Sequence, residues 1–455
     1  MATIGFALAL AVGCGSDPAA PNIDVPAAPQ RPGDPAKGYD YLVNGGYITC
    51  GVPRDVYDMV YGPADPADSI PGRTGDAAGL PYDFSPAVSA EGVPVVSANC
   101  LTCHAGRANG QLVVGLGAAD ADFTTDPTTL VDEAGQLVTD PTEQAEFARF
   151  SDRIHTIAGF TQMATIGVNP ADNLTAVLMA HRDPATLAWS DTPLIATPPA
   201  QAVPVDVPPW WRMAKKNAMF YTTAGRGDHA RIMMAASLLC TDSVAEASTI
   251  DAAFVDVRAW IEQLTPPPWP FAVDQGLAAR GQQVFVETCA RCHGVGDDYP
   301  NALVPLSVIG TDPLLAHGAS EFATPFVDWF ASSFWGQVSA LDPQEGYIAP
   351  PLDGIWATAP YFHNGSVPTL EAVLDSTKRP KYWVRTSYDS TDFDTTNVGW
   401  NYTAITHGQA DEPTMLARVK IYDTTLPGYG NHGHTFGDGL SSADRGAVIE
   451  YLKTL

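Results

Sequence analysis

The chain carries one five-residue pattern twice, as CLTCH at residues 100–104 and as CARCH at residues 289–293. In each copy, two intervening residues place both cysteine thiols on one helical turn, and a histidine follows the second cysteine directly. Two thiols at this spacing can add to the two vinyl groups on one edge of a porphyrin, and the histidine can then bind the iron beneath the ring. The pattern therefore predicts covalently bound haem c at both places.

Paired cysteines also occur in redox-active dithiols and in zinc sites. A redox dithiol does not need the trailing histidine and would rarely occur twice in one chain. A zinc site would need the two motifs to converge, or further Cys and His pairs close by, which the sequence lacks. We therefore expect two haem groups, attached through Cys100, Cys103 and His104, and through Cys289, Cys292 and His293.

Composition limits the class of protein. The 455 residues allow two or three domains, and a hydrophobic content of 45% is enough for sizeable cores. Only 16% of residues are charged, while glycine and proline number 40 and 39, which favours a globular chain with long ordered loops. The formal net charge of -27 would repel a phosphate backbone, so we expect no nucleic-acid partner. The same charge favours a basic protein partner, although many exported proteins are simply acidic.

The N-terminus resembles the end of a bacterial secretion signal. Residues 1–13 form an apolar run that ends in small residues before Cys14, although no Lys or Arg precedes the run. The run is too short to span a bilayer, and no other segment is long and apolar enough to do so. We predict an export signal at residues 1–14, with possible lipid attachment at Cys14. The protein would then be periplasmic or in the cell envelope, with an outer-membrane lipoprotein as one alternative, and would have no transmembrane helix in its mature form.

A weak internal repeat predicts two similar domains. His104 and His293 lie 189 residues apart, and the ends of two amphipathic helices, Leu264 and Leu455, lie 191 apart. The run of prolines at residues 266–268 marks a boundary between them. We predict a Pro/Ala-rich tether at residues 15–37, an N-terminal haem c domain at residues 38–267 and a C-terminal haem c domain at residues 268–455.

Local patterns place individual elements. The first amphipathic helix is expected at residues 244–264, and the second at residues 443–455 with Ser441 or Ser442 as its N-cap. A third helix should begin near Asp274 and run into the second motif. Strand-like runs are short and scattered, such as residues 111–114. The predicted fold class is mainly α, with two c-type cytochrome domains, long loops and few short strands.

Iron has a further axial position in each haem, which a histidine or methionine can fill. After His293 the only methionine is Met415, so histidine is favoured for the second haem. The remaining histidines are His155, His181, His229, His317, His363, His407, His432 and His434. Outside the motifs and Cys14, two cysteines remain, Cys50 and Cys240. An oxidising compartment would permit them to pair, and two buried free thiols are the alternative.

One long stretch carries a family resemblance. Residues 349–370, APPLDGIWATAPYFHNGSVPTL, are similar to the signature of the bacterial di-haem cytochrome c peroxidase and MauG superfamily. Residues 366–369 (SVPT), 379–381 (RPK), 433–437 (GHTFG) and the ending 450–455 more closely resemble its rubber-oxygenase-like branch of di-haem c-type cytochromes. The resemblance is strong from about residue 276 to 455 and weaker over the first motif and residues 208–231.

The resemblance implies roles for several residues. His104 and His293 would be the proximal iron ligands, and His434 the distal ligand of the second haem, with His432 as a close rival. His363 would lie beside the haems, where it either contacts a propionate or holds a turn. The ligand methionine of the peroxidases falls about where Thr377 stands, so that ligation is lost here.

The first haem lacks the histidine that soon follows the motif in the peroxidases, since residues 105–124 contain none. Several methionines could serve it, but none stands out: Met163, Met179, Met213, Met219, Met233 and Met234. An open iron there would make His104 a catalytic residue. Trp211, in the segment at residues 208–212, resembles the aromatic residue that stands between the haems and would relay electrons, unless it only packs in the core. Arg212, Lys215 and Lys216 could pair with haem propionates.

Two functions remain open at this point. The first is electron transfer through both haems with a redox partner protein. The alternative is a haem-dependent peroxidase or oxygenase reaction at an open first haem, with oxygen or peroxide as a small-molecule oxidant. A tethered haem sensor is a third and weaker hypothesis.

Overall fold

The structure is a computed structural model that describes residues 22–321 and 323–455. The predicted export signal, Cys14 and the first part of the predicted tether lie outside the described residues. Helix accounts for about 39% of the structure and strand for about 14%, so the fold is mixed and mostly α-helical. No helix within the described ranges is both long and apolar enough to cross a membrane.

The α-helices vary from one turn to five. In the first half they are α1 (Pro35–Asn44), α2 (Arg54–Tyr61), α3 (Leu101–His104), α4 (Thr128–Gly135), α5 (Pro141–Ala158), α6 (Ala171–Ala180), α7 (His229–Met233) and α8 (Val244–Ile261). In the second half they are α9 (Gln275–Thr288), α10 (Ala290–His293), α11 (Leu306–Ile309), α12 (Leu314–Glu321), α13 (Thr324–Ser332), α14 (Leu370–Leu374), α15 (Met415–Arg418) and α16 (Ser442–Leu452). Short 3-10 helices lie at Pro66–Asp68, Gly75–Ala77, Trp210–Lys215, Met234–Leu239, Trp335–Gln337, Ile355–Thr358, Ser376–Lys378 and Gln409–Asp411.

The strands are short and form small antiparallel sheets. They are β1 (Ile23–Asp24), β2 (Val52–Pro53), β3 (Phe84–Val88), β4 (Pro94–Ala98), β5 (Ala105–Ala108), β6 (Gln111–Val114), β7 (Gly225–Gly227), β8 (Ala302–Pro305), β9 (Ser339–Leu341), β10 (Gly346–Ile348), β11 (Tyr382–Arg385), β12 (Phe393–Asp394), β13 (Gly399–Trp400), β14 (Tyr402–Ala404) and β15 (Ile421–Asp423). The strand orders are β1-β8-β10, β14-β11-β15, β12-β13, β2-β4-β3, β5-β6 and β7-β9. Strand β6 confirms the strand predicted at residues 111–114.

The three predicted helices are confirmed with small differences at their ends. Helix α9 begins after Asp274, whose side chain accepts a hydrogen bond from the Leu277 N–H, and α16 begins after Ser441, which accepts one from the Asp444 N–H. Such caps satisfy N–H groups that have no partner inside the helix. Helix α8 ends at Ile261 rather than near residue 264, because the chain tightens there into turns such as that from the Leu264 N–H to the Ile261 carbonyl.

Each half of the chain contains one pair of helices that cross at a glycine. Helix α1 packs on α8 with Gly38 against the backbone of Asp256, and α9 packs on α16 with Gly281 against the backbone of Ala447. A Cβ atom at either glycine would overlap the carbonyl of the facing helix. The two crossings have the same construction, in which a glycine packs on a backbone carbonyl of the facing helix.

This contact makes Gly281→Ala a sharp test of the second crossing. We expect the substitution to lower the free energy of unfolding by about 1–3 kcal/mol, because overpacking forces the two backbones apart. Gly446→Ala is the matched control, since Gly446 lies inside α16 with open space around it. The control should be neutral or slightly stabilising, because alanine is the better helix former. Equal urea midpoints for both variants would contradict the close packing.

Strands and core residues from both sides of the predicted domain boundary at residues 267–268 contact one another. Strand β1 pairs with β8, and β7 pairs with β9. Trp329, Phe330, Phe334 and Trp335 also belong to the core that is otherwise built from residues 42–261. The two halves are therefore interlocked, and the boundary between residues 267 and 268 stays a prediction.

The described end of the predicted tether lies against the body of the protein. Its extended part includes Arg31, whose guanidinium bonds to the carboxylates of Asp228 and Asp251 at 2.6–2.9 Å. Arg231 bonds to the same Asp251 from the other side. Residues 22–34 are therefore fixed to the fold by buried ion pairs, and α1 follows them directly.

Cys50 and Cys240 are joined by a disulfide in the N-terminal core. Their side chains are 0% and 1% exposed, and the bond links positions 190 residues apart. Of the two alternatives that the sequence left open, the structure shows the pair. The four motif cysteines are free.

Candidate functional site

The second motif opens onto a large apolar cavity. Helix α9 ends at Thr288, Cys289 follows, and the short α10 carries Cys292 and His293. The cavity has about 1310 Å³ of empty space, including its open mouth. Both cysteines and His293 line it, together with apolar residues such as Phe285 and Leu452. The site thus combines two thiols, an imidazole and a space of the size and apolarity that a porphyrin requires.

His293 is held in one tautomer. Its Nδ1 lies 2.8 Å from the Pro350 carbonyl oxygen, which can only accept a hydrogen bond. Burial lowers the pKa of His293, so the ring is neutral and carries its single proton on Nδ1. Nε2 therefore keeps its lone pair for a metal, as second-shell bonds of this kind arrange for metal-binding imidazoles.

His434 lies across the cavity from His293. The two ring centroids are 6.2 Å apart, with an angle of 64° between the planes. Two imidazoles that bind one metal from opposite sides, each at about 2 Å, have centroids roughly 6 Å apart. Burial lowers the pKa of His434 to about 3, so this ring is also neutral. The pair fits the two axial positions of one iron.

The loop that carries His434 is fixed by Arg379. The guanidinium of Arg379 donates to the carbonyls of Asn431, Gly433 and His434 at 2.6–3.0 Å. Gly433 packs against the backbone of Gly310, where a Cβ atom would not fit. These contacts turn His434 into the cavity, whereas its sequence rival His432 is exposed and does not line the cavity.

A polar wall closes one side of the same cavity. His363 is buried, and its ring stacks on Tyr347 with centroids 4.0 Å apart. Tyr221 donates a hydrogen bond to the Asp206 carboxylate at 3.3 Å, and burial raises the pKa of Asp206 well above its usual range. Arg212 lines the cavity beside them. The sequence pointed to His363 and Arg212, but no motif marked Asp206, Tyr221 or Tyr347.

The first motif has different surroundings. Helix α3 ends at His104, and the hairpin β5-β6 follows at once, turning at Asn109 and Gly110, which both have positive φ as a type I′ turn requires. The His104 ring stacks on Trp210, with centroids 4.6 Å apart. Burial lowers the pKa of His104 to about 4, and its Nδ1 is buried without a hydrogen-bond partner among the described residues. This imidazole is therefore neutral and available as a ligand.

The segment from Trp210 to Lys215 connects the two motifs. Trp210 contacts His104, Trp211 donates from Nε1 to the Asp353 carbonyl at 2.8 Å, and Arg212 reaches the second cavity. Lys215 bonds to the Asp353 carboxylate at 2.7 Å. Burial and the charge of Arg212 lower the pKa of Lys216 to about 8. The sequence selected Trp211, and the structure shows that its neighbour Trp210 is the residue in contact with a motif histidine.

A bare metal ion has no evident site. No group of three or more His, Cys, Asp or Glu side chains in residues 22–321 and 323–455 could hold one. The His293–His434 pair instead fits a metal whose other ligands come from a cofactor, as in haem.

Comparison with known proteins gives one family match. Residues 346–384 match the family model described as "RoxA-like, cytochrome c-like". This stretch contains Tyr347, Pro350 and His363 of the cavity and ends just after Arg379. The match relates the chain to c-type cytochromes, and a domain of this kind implies covalently bound haem c. The number of haems is not given by the match.

Two curated relatives come from Sinorhizobium fredii (strain NBRC 101917 / NGR234). The chain is 31% identical to uncharacterized protein y4iM over 223 residues, and this aligned region covers 42% of the chain and 48% of y4iM. It is 28% identical over 262 residues to uncharacterized protein y4iJ, covering 42% of this chain and 41% of that protein. The chain thus spans less than half the length of either relative.

Proposed function

We propose that the chain is an exported di-haem c-type cytochrome that transfers electrons, with His293 and His434 as the two axial ligands of its second haem. The observation that carries the proposal is the facing pair of neutral imidazoles across an apolar cavity that also holds Cys289 and Cys292. Cys100, Cys103 and His104 would hold the first haem. Haem iron would supply a one-electron couple at each place.

The protein's own residues suit the second site to carrying electrons. Pro350 holds the His293 ring through Nδ1, and Arg379 holds the loop of His434 through backbone carbonyls, so little of the protein would need to move when an electron is gained or lost. The apolar wall would exclude water, and His293 and His434 would both hold a haem iron, which would supply one-electron chemistry there. Arg212 and His363 are placed to contact a haem propionate.

The two sites would exchange electrons through the segment that joins them. The Trp210 indole lies on the His104 ring, and Arg212, two residues later, lines the second cavity. Trp211 between them is buried and fixed by Asp353. The side chains of Trp210, Trp211 and Arg212 therefore form a short packed run from His104 of the first motif to the cavity of the second motif.

A peroxidase or oxygenase reaction at the first haem is the second candidate. The second motif has His434 facing His293, whereas residues 105–124 after the first motif contain no histidine, so an iron held by His104 would be open to a small molecule. His104 would hold the iron and Trp211 would pass electrons to it. Oxygen or peroxide would be the small-molecule oxidant.

The location and the partner are part of the same proposal. The N-terminal run supports export to the periplasm or cell envelope, with lipid attachment at Cys14 as an anchor. The net charge of -27 supports a basic redox protein as the partner.

The experiment is a stopped-flow comparison on the protein with both haems attached. An electron carrier should exchange electrons reversibly with a small basic cytochrome c, at a rate that falls as salt is added, and should not consume peroxide. An acidic carrier protein of similar potential is the control and should react more slowly. Catalytic consumption of peroxide or oxygen would instead establish the second candidate, and failure to exchange electrons with either carrier would contradict the first.

A further inference from the structure

A second, smaller pocket lies between the hairpin β5-β6 and the strands β11–β13. It has about 460 Å³ of empty space, including its mouth, and none of its lining residues belongs to either CxxCH motif. Trp356, Phe393 and Trp400 give it aromatic walls, while Arg107 and Arg385 give it positive charge. Nothing in the proposed electron-transfer function uses this pocket.

Arg385 is the last residue of β11, and its residue surface is 8% exposed. Its guanidinium lies over the ring of Trp400, 3.6 Å from the centroid, and 5.3 Å from the centroid of Tyr388. Both aromatic rings lie beside the guanidinium, and Arg385 also lines the pocket, so its N–H groups can reach a molecule bound there.

Those N–H groups have no partner in the part of the chain that the structure describes. No hydrogen bond or ion pair of the Arg385 side chain is formed there, and its Nε is fully buried and unsatisfied. Asp120, Asp389 and Asp392 act on the guanidinium only from beyond ion-pair distance, and burial lowers its pKa to about 10. Nη1 and Nη2 are not buried in this way and are open to the pocket, where an anion can bond to them.

The rest of the chain makes this arginine unusual. Acidic residues number 51 against 24 basic ones, so carboxylate partners are plentiful. Other buried arginines use them: Arg153 and Arg182 both bond to Asp242, and Arg231 bonds to Asp251. Asp120, the carboxylate that lines the pocket, is exposed at its rim, where solvent screens its repulsion of an anion.

We propose that Arg385 binds a carboxylate in this pocket, with the aromatic walls holding the apolar body of the same molecule. The guanidinium presents parallel N–H donors that match the two oxygens of a carboxylate. Arg107 adds a second positive charge at the wall while it bonds to Asp68 at 2.6 Å. A small aromatic carboxylic acid has the required combination of one anionic group and a flat apolar ring.

Two sources could supply that carboxylate. One is a free small acid from the surroundings. The other is a propionate of the first haem, because the pocket lining begins at Arg107, three residues after His104. The chemistry at Arg385 is the same in both cases, and the experiment below separates them.

Calorimetry of the fully loaded protein in a buffer without carboxylates tests the proposal, with benzoate as the probe and neutral benzamide as its isostere. Wild type should bind benzoate at least about tenfold more tightly than benzamide. Arg385→Gln should lose that preference. Arg385→Lys keeps the positive charge but lacks the two parallel N–H donors of a guanidinium, so its preference for benzoate should lie between those of wild type and Arg385→Gln. Arg280→Gln is the matched control, since Arg280 is an exposed arginine paired with Asp444, and it should behave as wild type.

The midpoint potentials of the same variants identify the source. Benzoate binding with unchanged potentials in Arg385→Gln assigns the site to a free acid. No benzoate binding, with a potential that shifts in Arg385→Gln but not in Arg280→Gln, assigns the carboxylate to a haem propionate. The proposal is overturned if wild type binds no benzoate and the potentials do not move, or if Arg385→Gln binds benzoate as well as wild type. A third result would also overturn it: Arg385→Gln unfolds at a lower urea concentration than wild type but changes neither benzoate binding nor the midpoint potentials. Arg385 would then only stabilise the fold by stacking on the aromatic rings.

Discussion

Replacing His434 by alanine should convert the second haem from a low-spin to a high-spin centre. Alanine has no nitrogen to bind iron, and Arg379 would still hold the loop through backbone carbonyls, so the site should lose its ligand and keep its shape. The midpoint potential of this haem should move by tens of millivolts or more, since axial ligands set haem potentials over about 0.8 V. Optical spectra and a redox titration measure both effects, and added imidazole should restore the low-spin spectrum.

His432→Ala is the control for this experiment. His432 precedes His434 by two residues and is exposed, so its removal should leave the spectrum of the second haem unchanged. A low-spin second haem that survives His434→Ala, or that is lost in His432→Ala, would refute the assignment of His434.

Removing the disulfide should cause the largest loss of stability. The double variant Cys50→Ala/Cys240→Ala frees a link between positions 190 residues apart. Loop-closure entropy for a link of that length predicts a free energy of unfolding lower by about 5 kcal/mol. Alanine is preferred to serine because both side chains lie in the core, where an unpaired hydroxyl would add a cost of its own. Urea unfolding followed by circular dichroism measures the difference.

A thiol-free reductant supplies the control for the disulfide. It should lower the urea midpoint of the wild type toward that of the double variant and leave the double variant unchanged, since thioether bonds to haem are not disulfides. Equal midpoints for wild type and variant in the absence of reductant would show that the two cysteines are not linked in the folded protein.

The sequence predicted those features that depend on neighbours along the chain. The helix start near Asp274, the N-cap at Ser441 or Ser442 and the strand at residues 111–114 are local patterns with local physical causes. The structure has these elements where they were expected, to within a few residues at their ends.

The rest of the site depends on contacts between distant segments. Asp206, Tyr221 and Tyr347 reach the second cavity from three separate parts of the chain, and none lies in a pattern that marks it. Trp210 and Trp211 are adjacent and chemically alike, so only the 3-10 turn that they occupy decides which one meets His104.

Contacts between distant segments also decide whether His432 or His434 enters the cavity. Both are histidines in one glycine-rich loop, and the sequence alone offered only a resemblance in favour of His434. The bonds from Arg379 and the contact between Gly433 and Gly310 decide which ring enters the cavity. Such tertiary contacts have no signature in the order of the residues around either histidine.

The low-temperature electron paramagnetic resonance spectrum of the oxidised protein, with its haems attached, tests the inequality of the two sites most directly. The facing imidazoles of His293 and His434 predict one low-spin signal of a bis-histidine haem. The haem on His104, for which residues 105–124 offer no histidine, should give a second signal, high-spin and of equal integrated intensity. A spectrum with no bis-histidine low-spin signal, or with two low-spin signals and no high-spin signal, would contradict the proposed difference between the two sites.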